Sequence, residues 1–394
     1  MQNSNNYLVD TITRLFTNIN IGSLSLRLPD GSHQVLGEKG KPEAVLVIHN
    51  WRAIRRLLTQ GHMGFVESYL DGDWDSPNPA HLVELAIKNK KDTGTNNLNS
   101  FWHRLKNRII HILNANTRSG AKRNIAAHYD LGNSFYEQWL DPSMTYSSAY
   151  FNNNESQSLE SAQLAKYRRI AKVLEIKPEH KLLEIGFGWG GFAEFVVKEF
   201  GCHVTGLTLS NEQLKYANAR LQNAGLSGNF DLRLQDYRDL EGTYDRIASI
   251  EMFEAVGEEN WPKYFNTIKK GLNRKGSAVL QIITINEDSF ETYRRSADFI
   301  QRYIFPGGML PSVKVIKDEV NLAKLKITDV AMFGDSYAET LLRWRNSFEL
   351  TWSTIEKLGF DHRFKRMWEM YLSYCEGGFR AKAIDVGQYK IVSD

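Results

Sequence analysis

The sequence predicts an α/β protein: a mostly parallel sheet covered on both faces, with a smaller α+β domain ahead of it. Three observations predict it. From about residue 125, apolar runs of strand length alternate with segments of helical spacing, the pattern of a parallel sheet with crossover helices. One run, Lys181-Leu182-Leu183-Glu184-Ile185, enters a four-glycine turn, Gly186-Phe187-Gly188-Trp189-Gly190-Gly191, just before a helix. Residues 20–90 read differently. Leu24-Ser25-Leu26-Arg27-Leu28 alternates with period two, Pro29-Asp30-Gly31-Ser32 turns the chain, and Ala44-Val45-Leu46-Val47-Ile48 is a second strand. Helical spacing follows over 51–90, with Asp71-Gly72-Asp73-Trp74 as a turn.

The remaining elements follow in order. A helix over 159–175 leads to the strand 181–185. Then come helix 191–200, strand 203–207, helix 211–223, strands 230–234 and 245–250, helix 260–272 and strand 277–285. The expected domains are residues 1–113, a linker over 114–124, and 125–394. Residues 93–129 carry Arg104, Lys106, Arg108, Arg118, Lys122 and Arg123 but no Asp or Glu. Phe101, Leu105, Ile109, Ile112 and Leu113 recur there at helical spacing, so the segment is either a membrane-surface helix or an inter-domain helix with solvated cations.

Composition narrows the class. With 394 residues the chain accommodates two domains, and 42% hydrophobic with 24% charged residues is a globular balance. A net charge of +3 gives no reason to expect nucleic acid. The two cysteines, Cys202 and Cys375, form neither a disulfide framework nor a metal pattern and fit a reducing compartment. The first residues lack a signal pattern, and no apolar run approaches the ~18 residues of a spanning helix. A cytoplasmic protein, at most lying on the inner face of the membrane, is expected.

The glycine turn says which ligand. A dinucleotide site wants Gly-x-Gly-x-x-Gly and an acid at the end of the second strand. Here the spacing is Gly-x-Gly-x-Gly-Gly, and the second strand ends in Thr208-Leu209-Ser210. The acid sits instead at the end of the first strand, Glu184, where it suits the ammonium of S-adenosylmethionine. Ligands of such sheets bind at the carboxyl ends of the strands, where Glu184, Thr208, Asp236 and the run Glu251-Met252-Phe253-Glu254 fall. Beside Gln235 and Tyr237, Asp236 either accepts from the adenine amino group or only turns the chain. Glu254 is either a desolvated carboxylate of raised pKa or an acid favoured by a helix N-terminus. Tyr146, Tyr150, Phe253, Phe305 and Tyr337 are candidates for an aromatic-lined lipid pocket, or for core. No Ser–His–Asp signature, HExxH or CxxC pair supports a hydrolase or metalloenzyme.

Several separate motifs then agree. They include Ala127-His128-Tyr129-Asp130-Leu131-Gly132-Asn133 and Tyr146-Ser147-Ser148-Ala149-Tyr150-Phe151. The glycine turn, Gly206-Leu207-Thr208-Leu209-Ser210 with Gln213, and Gln235-Asp236-Tyr237 belong to the same set. So do Met252-Phe253-Glu254, Tyr303-Ile304-Phe305-Pro306 and Phe333-Gly334 with Tyr337. In these stretches the chain resembles the bacterial cyclopropane-fatty-acyl-phospholipid synthases, relatives of the mycolic-acid cyclopropane synthases. The resemblance implies a Rossmann-like S-adenosylmethionine methyltransferase sheet that transfers a methyl group to a cis double bond of a phospholipid acyl chain at an anionic membrane surface. The cofactor would be held by Tyr146, Ser147, Glu184, Gly186, Gly188, Gly190, Thr208, Leu209, Gln213, Gln235, Asp236 and Tyr237. A bound bicarbonate would take the proton that permits ring closure, held by Glu254, Tyr337 and the backbones of Ser148 and Ile283.

Two positions depart from that pattern. Ser148 stands where the family has cysteine, and Gln281 where it has histidine. Gln281 can donate through its amide but cannot be cationic, so it would hold an anion less strongly or set a different base. The alternative product is then a methylene- or methyl-branched chain, the latter with a partner reductase. A homodimer and a non-catalytic membrane-associated binding protein are the other arrangements left open.

Overall fold

In this computed structural model the described residues are 19–38, 42–89, 131–295 and 298–393. The expected basic helix over 101–113, the linker and the first part of the 127–133 motif lie outside them. The chain divides into two compact units. One holds the described N-terminal residues together with Trp344–Ala383; the other runs to Arg343 and resumes with Ile384–Asp394. The sequence reading takes 125–394 as one domain; by contacts the 344–383 segment groups with the N-terminal unit.

In the N-terminal unit, β1 (Ser23–Arg27), β2 (His33–Gly37), β3 (Glu43–Ile48) and β4 (Trp74–Asp75) form one sheet, in the order β2-β1-β3-β4. Period-two alternation buries Leu24, Leu26, Ala44, Leu46 and Ile48 on one face. The turn expected at 71–74 ends in β4, and β2 is a strand that the sequence reading left unassigned. Helices α1 (Arg52–Leu70) and α2 (Pro79–Lys88) follow. The long helix His362–Arg380 returns to pack on α2, closely enough that a Cβ on Gly377 would lie 2.7 Å from the Ala80 carbonyl.

The second unit is the expected α/β sheet, with strand order β10-β11-β9-β8-β5-β6-β7. β5 (Lys181–Ile185), β6 (His203–Thr208), β7 (Phe230–Leu234), β8 (Tyr244–Ile250) and β9 (Leu272–Ile285) pair in parallel. β10 (Leu325–Met332) and β11 (Ile384–Ser393) add an antiparallel edge next to β9. Alternation within each strand feeds two cores. Leu183, Ile185, Ile247 and Leu280 meet helix Trp261–Gly271 on one face. Leu182, Val204, Ala248 and Val279 meet helices Leu159–Leu174 and Gly191–Phe200 on the other.

The strand order positions the site. The chain builds β5, β6 and β7 outward in one direction, then crosses back to lay β8 on the other side of β5. That reversal opens a crevice at the carboxyl ends of β5 and β8. Glu184 lies in β5 just before its carboxyl end, and Glu251 directly after β8.

Candidate active site

The crevice is a cavity built from the glycine turn, the ends of β5, β6 and β8, and the 144–147 segment. Tyr146, Ser147, Glu184, Gly186, Gly188, Thr208, Leu209, Gln213, Gln235, Asp236 and Tyr237 all line it. Gly190 does not. Its φ is +82°, and a Cβ there would lie 2.9 Å from Ala217, so this glycine serves the approach of two helices instead. Gly186 also has a φ of +82°, and its missing Cβ faces Met252 of the cavity wall.

Glu184 is 2% exposed, and its Oε2 has no protein hydrogen-bond partner. An orphaned buried carboxylate oxygen in a cavity is what the ammonium of an amino-acid moiety would satisfy. Burial pushes the Glu184 carboxyl up to about 8, with Lys166 pulling in the opposite sense. Below that pH the neutral acid is favoured, so this group's contribution to stability falls as pH rises from 4.5 through about 8. A cationic ligand selects the carboxylate and therefore expels a proton. Affinity for S-adenosylmethionine should climb with pH between 6 and 8, by no more than about tenfold per unit, and then level off. Calorimetry in buffers of different ionisation enthalpy measures the released proton; a pH-independent affinity with no proton release would remove Glu184 from the ammonium site.

Thr208 donates to Gln213 Oε1 at 2.9 Å, tying the end of β6 to the helix that follows. Asp236 is gripped by the Arg238 guanidinium at 2.9 and 2.6 Å. Its Oδ1 also accepts from the Arg238 backbone amide at 2.9 Å, so the carboxylate is fixed in the cavity wall where an adenine amino group would lie. Tyr146 sits among Tyr136, Trp139 and Phe305, with ring centroids 5.5, 5.6 and 6.5 Å away. Of the five expected pocket aromatics only Tyr146 lines the cavity; Phe253 is core, against Trp261, Tyr264 and Phe265, and Tyr150 makes an edge contact with Phe333.

The expected anion-holding set divides between two carboxylates, with the Ile283 amide on Glu254. Three of its members converge on Glu251. The Ser148 amide donates to Glu251 Oε1 at 2.8 Å, the Gln281 amide to the same oxygen at 2.7 Å, and the Tyr337 hydroxyl to Oε2 at 2.7 Å. Glu254 instead accepts from the Ile283 amide at 2.5 Å, and its Oε2 has no protein partner. Burial first, then the nearby Glu251 charge, pushes the Glu254 carboxyl up to about 8. Burial also raises Glu251, opposed by Lys166 and by its three donors.

Gln281 is oriented from behind. Arg169 donates to Gln388 Oε1 at 2.6 Å, and Gln388 Nε2 donates to Gln281 Oε1 at 3.0 Å. A guanidinium has no acceptor, so it fixes which way both amides point. The Gln281 NH2 is thereby left facing Glu251.

Sequence reasoning missed two groups. Glu251 was placed at the strand end but given no role. Lys166 was not singled out, yet it is fully buried, donates to Ser147 Oγ at 2.5 Å, and is pushed down by burial to about 7 against the pull of Glu251, Asp141 and Glu184. Its spacing from Ala162 and Ile170, four residues on either side, puts it on the helix's buried stripe, which was the available signal.

The model of mycolic acid cyclopropane synthetases matches residues 116–389. The chain belongs to the mycolic acid cyclopropane synthetase family. Two relatives extend the likeness over nearly the whole chain. Tuberculostearic acid methyltransferase UfaA1 of Mycobacterium tuberculosis is 36% identical over 380 residues, covering 94% of this chain and 88% of that protein. Cyclopropane-fatty-acyl-phospholipid synthase of Escherichia coli K12 is 34% identical over 353 residues, covering 89% and 88%. The crystal structure of mycolic acid cyclopropane synthase CmaA1 complexed with SAH and CTAB superposes with a TM-score of 0.65 at 30% identity, over 68% of this chain and 97% of that one. Coclaurine N-methyltransferase, at 16% identity and a TM-score of 0.64, shares the fold. This cyclopropane synthetase family member is an S-adenosylmethionine-dependent methyltransferase of the fatty-acyl methylating and cyclopropanating kind. Among its described residues no helix is long and apolar enough to cross a membrane.

Proposed function

We propose that the enzyme transfers a methyl(ene) group from S-adenosylmethionine to the cis double bond of an unsaturated phospholipid acyl chain, closing a cyclopropane ring. The observation that carries this reading is a single cavity with a cofactor-suited carboxylate, Glu184, at the end of β5 and a second carboxylate, Glu251, held by three donors at the end of β8. The cofactor supplies an electrophilic methyl group on a sulfonium. The chain's task is to hold a weak alkene nucleophile in line with it and keep water out. Ile185, Phe187, Ile250 and Met252 give that cavity an apolar wall, and Tyr146 adds a ring face suited to a developing cation.

A methylene- or methyl-branched product is the second reading. Gln281 in place of histidine favours it, and so does the 36% identity to a protein named for tuberculostearic acid methyl transfer. A partner reductase would be needed for a methyl branch. The deciding experiment expresses the protein in a host lacking its own synthase and examines the lipids. Ring and methylene products have the same mass, so chromatographic retention or NMR separates them. Unmodified acyl chains would overturn both readings.

The acyl chains lie in a membrane, and the acid-free stretch 93–129 offers the charge to reach one. Each cation near an anionic leaflet contributes about 1 kcal/mol, screened by salt. Changing Arg104, Lys106 and Arg108 to Gln should weaken binding to anionic vesicles and flatten its salt dependence. Co-sedimentation with vesicles that is unaltered in the triple variant would assign these cations to solvent.

A further inference from the structure

The donors that the resemblance assigns to an external anion already hold a carboxylate of the chain itself. The Ser148 amide and the Gln281 amide share one oxygen of Glu251, and the Tyr337 hydroxyl takes the other. Bicarbonate presents the same planar pair of oxygens as a carboxylate, so the two compete for one seat. We propose that Glu251 is the base of this reaction, standing where a diffusible bicarbonate would otherwise sit, and that the enzyme works without bicarbonate. The inference rests on the alkene-methylation reading above.

Three further observations support it. Glu251 lines the same cavity as Glu184 and the glycine turn. Its backbone has a φ of +52°, a left-handed conformation that costs a side-chain-bearing residue and recurs at functional sites. Its amide still donates to the Gln281 carbonyl at 2.8 Å, which pins the strained residue to β9. Finally, the Arg169–Gln388–Gln281 line presents an N–H, not a carbonyl, to Glu251, which suits a group that works as the carboxylate.

The step balances without another reagent. The alkene π pair forms a bond to the transferred methyl carbon, and the broken carbon–sulfur pair stays on sulfur. The acyl chain is left with a carbocation beside the methylated carbon. A Glu251 oxygen takes a proton from the new methyl group, and the released C–H pair closes onto the cationic carbon. The ring is formed, Glu251 is protonated, and that proton passes to solvent before the next turnover.

The test uses the full-length enzyme with unsaturated phospholipid vesicles, with bicarbonate stripped or added. Wild type should keep its rate when bicarbonate is removed, and 13C NMR should show no saturable bicarbonate binding. Glu251→Gly relieves the left-handed strain and empties the seat. Its turnover should fall about a hundred- to ten-thousand-fold, the range for a lost general base. Its affinity for S-adenosylmethionine should stay within a few-fold, and millimolar bicarbonate or formate should bind saturably and restore product. Glu251→Gln, which keeps the shape, should lose turnover without such rescue. A wild type that needs bicarbonate, or a Glu251→Gln variant as active as wild type, would overturn the proposal. Absence of methylated lipid from wild type under every condition would overturn the substrate reading instead, while the NMR titration still reports on the seat.

Discussion

Replacing Gly186 with valine should lower the affinity for S-adenosylmethionine about a hundredfold in a protein that remains folded. The residue has a φ of +82°, and a Cβ there meets Met252 Cγ at 2.9 Å. A β-branched residue in that conformation costs roughly 1–2 kcal/mol, and displacing Met252 from its rotamer about 0.5–1.5 kcal/mol more. The free turn can relax to escape both costs, so they are met when the ligand restores the turn, and about 2.7 kcal/mol corresponds to the hundredfold loss. The added Cβ would push a residue of the cavity wall, Met252. Unchanged calorimetric affinity in a folded variant would remove this turn from the cofactor site. Gly190→Ala, which meets Ala217 instead, should act on helix packing and thermal stability first.

In the N-terminal unit, Glu376→Ala should destabilise by about 3–5 kcal/mol, the usual cost of leaving a buried charge without its partner. Glu376 is fully buried in helix His362–Arg380 and binds Arg345 at 3.1 Å and Arg380 at 2.8 Å. The Arg345 side chain is only 7% exposed, and its remaining acceptors, Glu349 and Asn78, lie at 3.4 Å. Glu376→Gln keeps an acceptor and should cost less. Urea unfolding followed by tryptophan fluorescence reads both. Equal midpoints for wild type and Glu376→Ala would show that this carboxylate contributes nothing net.

The parallel core of the second unit was legible because β5, β6 and most of β8 and β9 are buried on both faces and each helix carries one stripe. β5, the glycine turn and the helix after it match the sequence reading residue for residue. The antiparallel edge was not legible. β10 is exposed along most of its length, so burial leaves little alternation to read. β2 alternates only between exposed and partly buried. The segment 344–383 has an amphipathic helix whose apolar stripe looks the same whichever unit it packs on. In the site, every expected cofactor residue except Gly190 lines the cavity, since strand ends and turns are local features. The partner of Ser148, Gln281 and Tyr337 is not local. Glu251 and Glu254 are three residues apart in a run that leaves the strand, and only the left-handed turn at Glu251 decides which carboxylate meets those donors.

The polarity of the Arg169–Gln388–Gln281 line bears on how this sequence can change over time. Its orientation is set at the arginine and read out at the far end, so the middle positions are not independent. A histidine at 281 would have to accept from Gln388 with one ring nitrogen and donate toward position 251 with the other, which selects a single tautomer. A leucine at 388 would free that choice, and a lysine at 169 would leave the orientation to a flexible point charge. Positions 169, 388 and 281, together with 251, therefore form one unit of inheritance. Among relatives they should be exchanged as a set, and a chain bearing a mixed set should be slower than either parent.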